Sequence, residues 1–324
     1  MAWTERGLST NGSDLRVMSG RLQRHPLQRT RFRAVLAELR AHQWVKNLLL
    51  FAPAIAAHVT MTRALTVRFA VGFVAFSLAA SMVYVINDLI DLNYDRMHPT
   101  KRTRPLASGE LGIPDARLMI LTLGALVLIT MGMMPREFTA MLVGYVLLNL
   151  AYSLVLRQKV ALDIIALAGT HVLRLFAGSA LADVPLSGWF LGFFVFLLVS
   201  LALTKRVGEL QHDIRSETTA PGRWYAKGDV PVLTTIGVAS AMASIVVYGL
   251  YVTDDAVLVL YERPEILWGV LPLLLYWVLR IWLLVGRGEV GDDPVRFTIR
   301  DPVSYIIAAA TLFLIWLAST SSVL

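Results

Sequence analysis

Apolar residues along the chain gather into windows of about 20, the length that crosses the hydrocarbon core of a bilayer as an α-helix. They fall at roughly 45–60, 68–87, 115–134, 138–156, 161–182, 188–204, 232–252, 265–285 and 303–323. The pattern predicts an all-α polytopic membrane protein with about nine transmembrane helices around a central cavity. The first window is short and edged with polar residues. Upstream, residues 1–33 are polar and arginine-rich, which predicts a basic, flexible arm running into an amphipathic helix on the membrane surface. Residues 34–324 are then one transmembrane domain.

Composition agrees with this pattern. The chain is 56% hydrophobic with a mean hydropathy of +0.62, which excludes an ordinary soluble domain. Charge adds an orientation. With the N-terminus inside, 24 of the 30 Lys and Arg residues fall in inner segments, against four outside: Arg63, Arg68, Arg136 and Arg263. The expected arrangement is an inner-membrane protein with its charged loops facing the cytoplasm and its C-terminus outside. Topology and phosphate handling account for the net charge of +7, so no nucleic acid is needed as a partner. The absence of cysteine removes disulfides, thiolate catalysis and Cys-ligated metals.

Candidate chemistry begins at the inner end of the second window, in Asn87–Gly109, NDLIDLNYDRMHPTKRTRPLASG. On a continuous helix Asn87, Asp91 and Asp95 sit at i, i+4 and i+8 with Asp88 one step aside, so hard oxygen ligands line one face. Magnesium suits such a row, because it takes one or two carboxylates and fills its other positions with water and substrate phosphate. A diphosphate is the natural third party. Lys101, Arg102 and Arg104 follow as fixed cations that can hold the same anion. A second charged loop, 205–231, starts with Lys205 and Arg206 and places Glu209 and Asp213 at i, i+4. A third, with Asp292, Asp293, Arg296, Arg300 and Asp301, reads as a charge network or lid. Within spans, ionisable residues are costly and face cavities; Asp163, His171 and Arg174 share a broad face of the fifth window. Arg174 keeps its charge and needs an anion. In RAHQWVKN, Lys46 stands at the interface as anchor or phosphate contact. Gly169 and Gly178 permit close helix packing.

Asn87-Asp88-x-x-Asp91-x-x-x-Asp95, the following Lys101-Arg102-x-Arg104-Pro105-Leu106-x-x-Gly109, the second acidic helix end and the nine windows together resemble the UbiA superfamily of intramembrane prenyltransferases. QWVKN at 43–47, HPTKRTRP at 98–105, PLSGWF at 185–190, KRVGEL at 205–210 and Arg300-Asp301 are similar to its phosphoribosyl-transferring branch. The resemblance implies a single transmembrane catalytic domain over 34–324. It implies Mg²⁺, with Mn²⁺ as a substitute, held by Asp88, Asp91 and Asp95 as the catalytic carboxylates. It further implies phosphoribosyl pyrophosphate as donor and a polyprenyl phosphate lipid as acceptor, giving a lipid-linked pentose for cell-envelope glycan. Asn87 would orient the leaving pyrophosphate. Lys101, Arg102, Arg104, Lys205 and Arg206, with Glu209 and Asp213, would bind the soluble substrate, and Lys46 or Arg174 the lipid phosphate. A homo-oligomer is compatible with this pattern.

One departure stands out. The aromatic prenyltransferases of the superfamily carry a second aspartate pair where this chain offers Glu209 and Asp213. The alternatives are transfer of a polyprenyl chain from its diphosphate to an aromatic acceptor, and transport. Transport is disfavoured because the charged motifs cluster at helix ends and not in mid-span.

Overall fold

The structure is a computed structural model that describes residues 31–212, 225–290 and 294–320. Helix α1 (Arg31–Glu38) leads into a 3-10 segment (Ala41–Phe51) and the short α2 (Ala52–Ala56). The long α3 (Arg63–Ile90) ends in the aspartate motif, which continues through α4 (Leu92–Met97) and α5 (Pro105–Ser108). There follow α6 (Ile113–Met131), α7 (Arg136–Leu154), α8 (Leu162–Ala182) and α9 (Gly188–His212). The chain closes with α10 (Val230–Val252), α11 (Asp255–Leu260), α12 (Val270–Gly286), α13 (Pro294–Arg300) and α14 (Pro302–Ser319).

Eight of these helical stretches among the described residues are long and apolar enough to cross a membrane. Large apolar side chains such as Leu118, Leu121, Leu128 and Ile129 point outward, as a lipid-facing surface requires. The remaining predicted window, 45–60, differs. It is the 3-10 segment plus α2, which at about 2.0 Å and 1.5 Å per residue extends roughly 30 Å. Sequence explains the irregular winding: Gln43 and Asn47 are polar yet buried, and Pro53 follows. Asn47 donates to Ser77 Oγ on α3 at 3.0 Å, so the polar positions turn inward, and hydrophobicity alone does not set the winding.

Several apolar cores hold the bundle, two of them larger than the rest. Phe69, Phe76, Phe138, Leu142 and Leu181 join α3, α7 and α8, while Leu203, Leu233, Val278 and Trp282 join α9, α10 and α12. Helix connections alternate, so the ends of α3, α7, α9 and α12 and the starts of α6, α8, α10 and α14 form one charged end.

The 3-10 segment lies against α8 at Gly178, where a Cβ would overlap the carbonyl of Leu50. Gly178→Ala is expected to cost about 1–3 kcal/mol through this overlap, seen as a lower melting temperature in detergent. An unchanged melting temperature would show that the segment can shift freely.

Candidate active site

The charged end begins with α1, which lies over the motif. Its buried positions are Ala34 and Glu38, four residues apart on one face. Ala34 packs with Val85, Leu106 and Leu111, and Arg31 pairs with Asp115 at the start of α6. The chain then turns sharply at Arg40, whose φ of 51° and ψ of 47° place it in the left-handed region. That conformation costs about 1–2 kcal/mol for a residue with a Cβ. Local contacts offset it: the Arg40 carbonyl accepts from Gln43 N at 2.8 Å, and its guanidinium lies 5.1 Å from the Tyr84 ring. Arg40 Nη2 donates to both oxygens of Asp88, at 2.7 and 2.5 Å.

The aspartates do not line one continuous helix face. Helix α3 stops at Ile90, and Asp91 has φ −89° and ψ 6°, which re-aims the residues beyond it. Asp91 turns to Arg157, whose Nη1 donates to both its oxygens at 2.8 Å. Asp88 and Asp95, 4% and 1% exposed, converge on a single atom: Arg104 Nη1 lies 2.9 Å from Asp88 Oδ1 and 2.5 Å from Asp95 Oδ2. Glu38 is 1% exposed and stands beside Asp88, Arg40 and Arg104. Burial, then Asp88, pushes its carboxyl up to about 8, against the two arginines. Asp95 is also raised by burial, with Arg104 and Lys101 opposing and Asp88 adding to it.

Several acceptor atoms here have nothing to accept from. Asn87 Oδ1 and Asp95 Oδ1 are buried without a hydrogen-bond donor, and so, when both carboxyls are ionised, are the Glu38 oxygens beside Asp88. A hydrogen bond between Glu38 and Asp88 needs a proton on one of them. Among the described residues, no three His, Cys, Asp or Glu side chains gather closely enough to hold a metal ion alone. Magnesium requires less, since water and phosphate complete its shell. Two carboxylates already opposed across one cationic nitrogen, with an orphaned oxygen on Asp95, are a donor set that fits it.

The basic residues divide into exposed, buried and paired. Lys101 lies 5.3 Å from the Tyr94 ring, and Arg102 is exposed. Among the described residues, the hydrogen-bond partners of Arg174, 2% exposed, are neutral: Asn47 Oδ1 at 2.8 Å, Thr170 O at 2.7 Å and Tyr145 Oη at 3.1 Å. Lys46, Lys205 and Arg174 all lie within electrostatic reach of His171. Arg206 is instead a brace, pairing with buried Asp163 and, at 2.6 Å, with Glu209. Tyr225 Oη donates to Asp163 at 2.8 Å and accepts from Ala161 N at 2.7 Å. Asp163 therefore belongs to Arg206 and not to Arg174. Arg280 holds Asp301 through two bonds, at 2.7 and 2.9 Å, which makes that part of the third loop a satisfied charge network. Asp213, Asp292 and Asp293 lie outside the described residues.

Sequence reasoning passed over Glu38, Arg40, Tyr145 and Arg157. Glu38 had a signal, an acid on the apolar face of an amphipathic helix. Arg157 had none beyond its charge.

Toward the membrane, a cavity of about 490 Å³ runs between α2, α9, α10, α12 and α14. Its wall is almost wholly apolar, including Ala52, Phe190, Phe194, Leu274 and Ile307, and it follows α14 from Ser304 to Ile315.

The model of the UbiA prenyltransferase family matches residues 48–300, which include α3 with its aspartates, Arg174 and the α9 end. The chain belongs to the UbiA prenyltransferase family. It is an integral membrane transferase. Among relatives of this UbiA family member, the decaprenyl-phosphate phosphoribosyltransferase of Mycolicibacterium smegmatis is 30% identical over 88% of this chain and 90% of the relative. The nodulation protein NoeC of Azorhizobium caulinodans is 30% identical over 87% and 93%. The uncharacterized protein y4nM of Sinorhizobium fredii is 37% identical over 85% of this chain, which spans only 54% of that protein's length. A UbiA homolog from Archaeoglobus fulgidus, bound to DMAPP and Mg²⁺, shares the fold with a TM-score of 0.66 at 20% identity, over 90% of this chain and 99% of that one.

Proposed function

We propose that this UbiA family enzyme transfers the 5-phosphoribosyl group of phosphoribosyl pyrophosphate to a polyprenyl phosphate, releasing pyrophosphate and leaving a lipid-linked pentose phosphate. The observation that carries this reading is that anions are met by unlike means at two places. One is the Asp88–Asp95 pair with the orphaned oxygen of Asp95, suited to a diphosphate bound through a divalent cation. The other is Arg174, with no carboxylate among its partners in the described residues and, like Lys46 and Lys205, within electrostatic reach of His171. A second phosphate suits that place, since a buried guanidinium without an anion is uncompensated. Similarity to decaprenyl-phosphate phosphoribosyltransferases supports the same choice.

Asp88 and Asp95 would hold Mg²⁺, which would supply positive charge to the pyrophosphate when bound. Asp91 joins through Arg157, which it orients toward the same end. Lys101, Arg102 and Arg104 bind the diphosphate, with Arg104 exchanging a carboxylate for a phosphate oxygen. Lys205 takes the ribose 5-phosphate; Lys46 and Arg174 take the lipid phosphate. An oxygen of that phosphate attacks the anomeric carbon, its bond to pyrophosphate breaks, and the electron pair leaves with pyrophosphate. No general base is needed, because the lipid phosphate is already ionised; positioning and charge stabilisation supply the rate. The apolar cavity receives the isoprenoid chain. The charged end faces the cytoplasm, where the soluble donor is found, with the N-terminus inside and the C-terminus outside.

The test offers purified enzyme two substrate pairs: labelled phosphoribosyl pyrophosphate with polyprenyl phosphate, and polyprenyl diphosphate with an aromatic acid. Label entering the lipid phase only with the first pair is expected. Prenylation of the acid alone would overturn the proposal.

A further inference from the structure

Of the ionisable residues on α8, Asp163 is braced by Arg206 and Arg174 has a place in the proposed reaction, but His171 has no task. Its ring is oriented from within the helix. Nδ1 lies 2.9 Å from the carbonyl oxygen of Leu167, one turn earlier. That oxygen has no proton to give, so Nδ1 carries the proton and donates it. Thr170 Oγ1 donates to the same oxygen at 2.8 Å. The other ring nitrogen, Nε2, has no hydrogen-bond partner among the described residues, yet it is not one of the unpartnered polar atoms sealed in the packing. It opens inward. Ile165 and Phe176 are exposed positions of α8, and His171 lies roughly 120–140° around the helix from them, on the side of Arg174 and Gly178. Arg174, Lys46 and Lys205 are all within electrostatic reach of the ring, and repulsion among like charges favours an uncharged ring there. An uncharged ring protonated at Nδ1 presents Nε2 as an acceptor. Such an atom has nothing to offer an ionised phosphate oxygen; it takes a hydroxyl.

We propose that His171 Nε2 accepts a hydrogen bond from a ring hydroxyl of the ribose, and so makes the enzyme select a ribosyl over a deoxyribosyl donor. The inference rests on the phosphoribosyl reading above and deepens it. In that reading Lys205 takes the 5-phosphate, while Lys46 and Arg174 take the lipid phosphate. The group that lies between the two phosphates is the sugar, and its hydroxyls are the donors it carries. His171, within reach of both sets of cations, stands where those hydroxyls are. A site built to accept from a substrate hydroxyl rejects the analogue that lacks it, because the acceptor is then left unpaired.

Wild type and His171→Leu, full-length in detergent, are given polyprenyl phosphate with phosphoribosyl pyrophosphate or with its 2-deoxy or 3-deoxy analogue, and kcat/KM is measured for each donor. His171→Leu is expected to lose roughly 10- to 100-fold on the ribosyl donor. On one of the deoxy analogues it should match wild type within about twofold, since the hydroxyl that His171 holds is then absent for both enzymes. His171→Gln, whose amide oxygen can accept, should recover part of the loss. A packing role predicts the same fractional loss on all three donors; that result overturns the inference and leaves the reaction standing. Wild type that transfers no phosphoribosyl group overturns both. If His171→Leu yields no folded protein, His171→Phe is read by the same comparison.

Discussion

Asp88→Asn is expected to lower the rate of phosphoribosyl transfer by roughly 100- to 1,000-fold, the scale seen when one preorganised charge-stabilising group is removed from an active site. Asp88 receives Arg40 and Arg104 and stands beside Glu38, so it is the point at which α1, α3 and α5 exchange charge. Asn keeps the shape but removes the charge that draws a cation. Folding should suffer less than activity. Arg40 and Arg104 are 22% and 28% exposed, so water can solvate the guanidinium groups left behind. Asp91→Asn should lose less, because Asp91 is itself 26% exposed and acts through Arg157. The check is kcat at saturating substrate for both variants, with melting curves to confirm folding. Equal losses would mean that the break at Asp91 does not separate the roles of the aspartates.

The second large effect divides two adjacent residues. Arg206→Ala removes the partner of fully buried Asp163 and of Glu209, and an orphaned buried charge costs about 3–5 kcal/mol. Most of the folded protein should be lost on extraction into detergent. Lys205→Ala should fold normally and raise the KM for phosphoribosyl pyrophosphate several-fold, since it removes one charge from a cluster without breaking a buried pair. Size-exclusion profiles and initial rates separate the two outcomes. An Arg206→Ala enzyme that melts like wild type but binds substrate poorly would make Arg206 a ligand residue and not a brace.

These two cases mark where the sequence could be read and where it could not. Long apolar windows are unambiguous because hydrocarbon demands internally satisfied backbone, so eight spanning helices were legible. The ninth window was not, because Gln43 and Asn47 turn inward to polar partners and the segment winds as a 3-10 helix. Spacing placed Asn87, Asp91 and Asp95 on one face, but that inference assumed an unbroken helix, and the turn at Asp91 sends its carboxylate to Arg157. Arg206 looked like a phosphate contact because nothing in a sequence shows Asp163 arriving from 43 residues away. Glu38 was legible in principle: α1 is amphipathic, and an acid on its buried face is a local inconsistency of the kind that marks functional sites. Arg174 reads in the sequence as a cation in need of an anion, and the partners described for it are neutral.

The central claim concerns which substrate carries the diphosphate, and position-specific labelling of phosphoribosyl pyrophosphate tests it most directly. Purified enzyme in detergent receives polyprenyl phosphate, Mg²⁺ and donor labelled either in the 5-phosphate or in the β-phosphate of the pyrophosphate. The account predicts that the first label enters the lipid and the second appears only as free pyrophosphate. Neither label in the lipid, with a prenylated aromatic product formed from polyprenyl diphosphate by the same preparation, would contradict it.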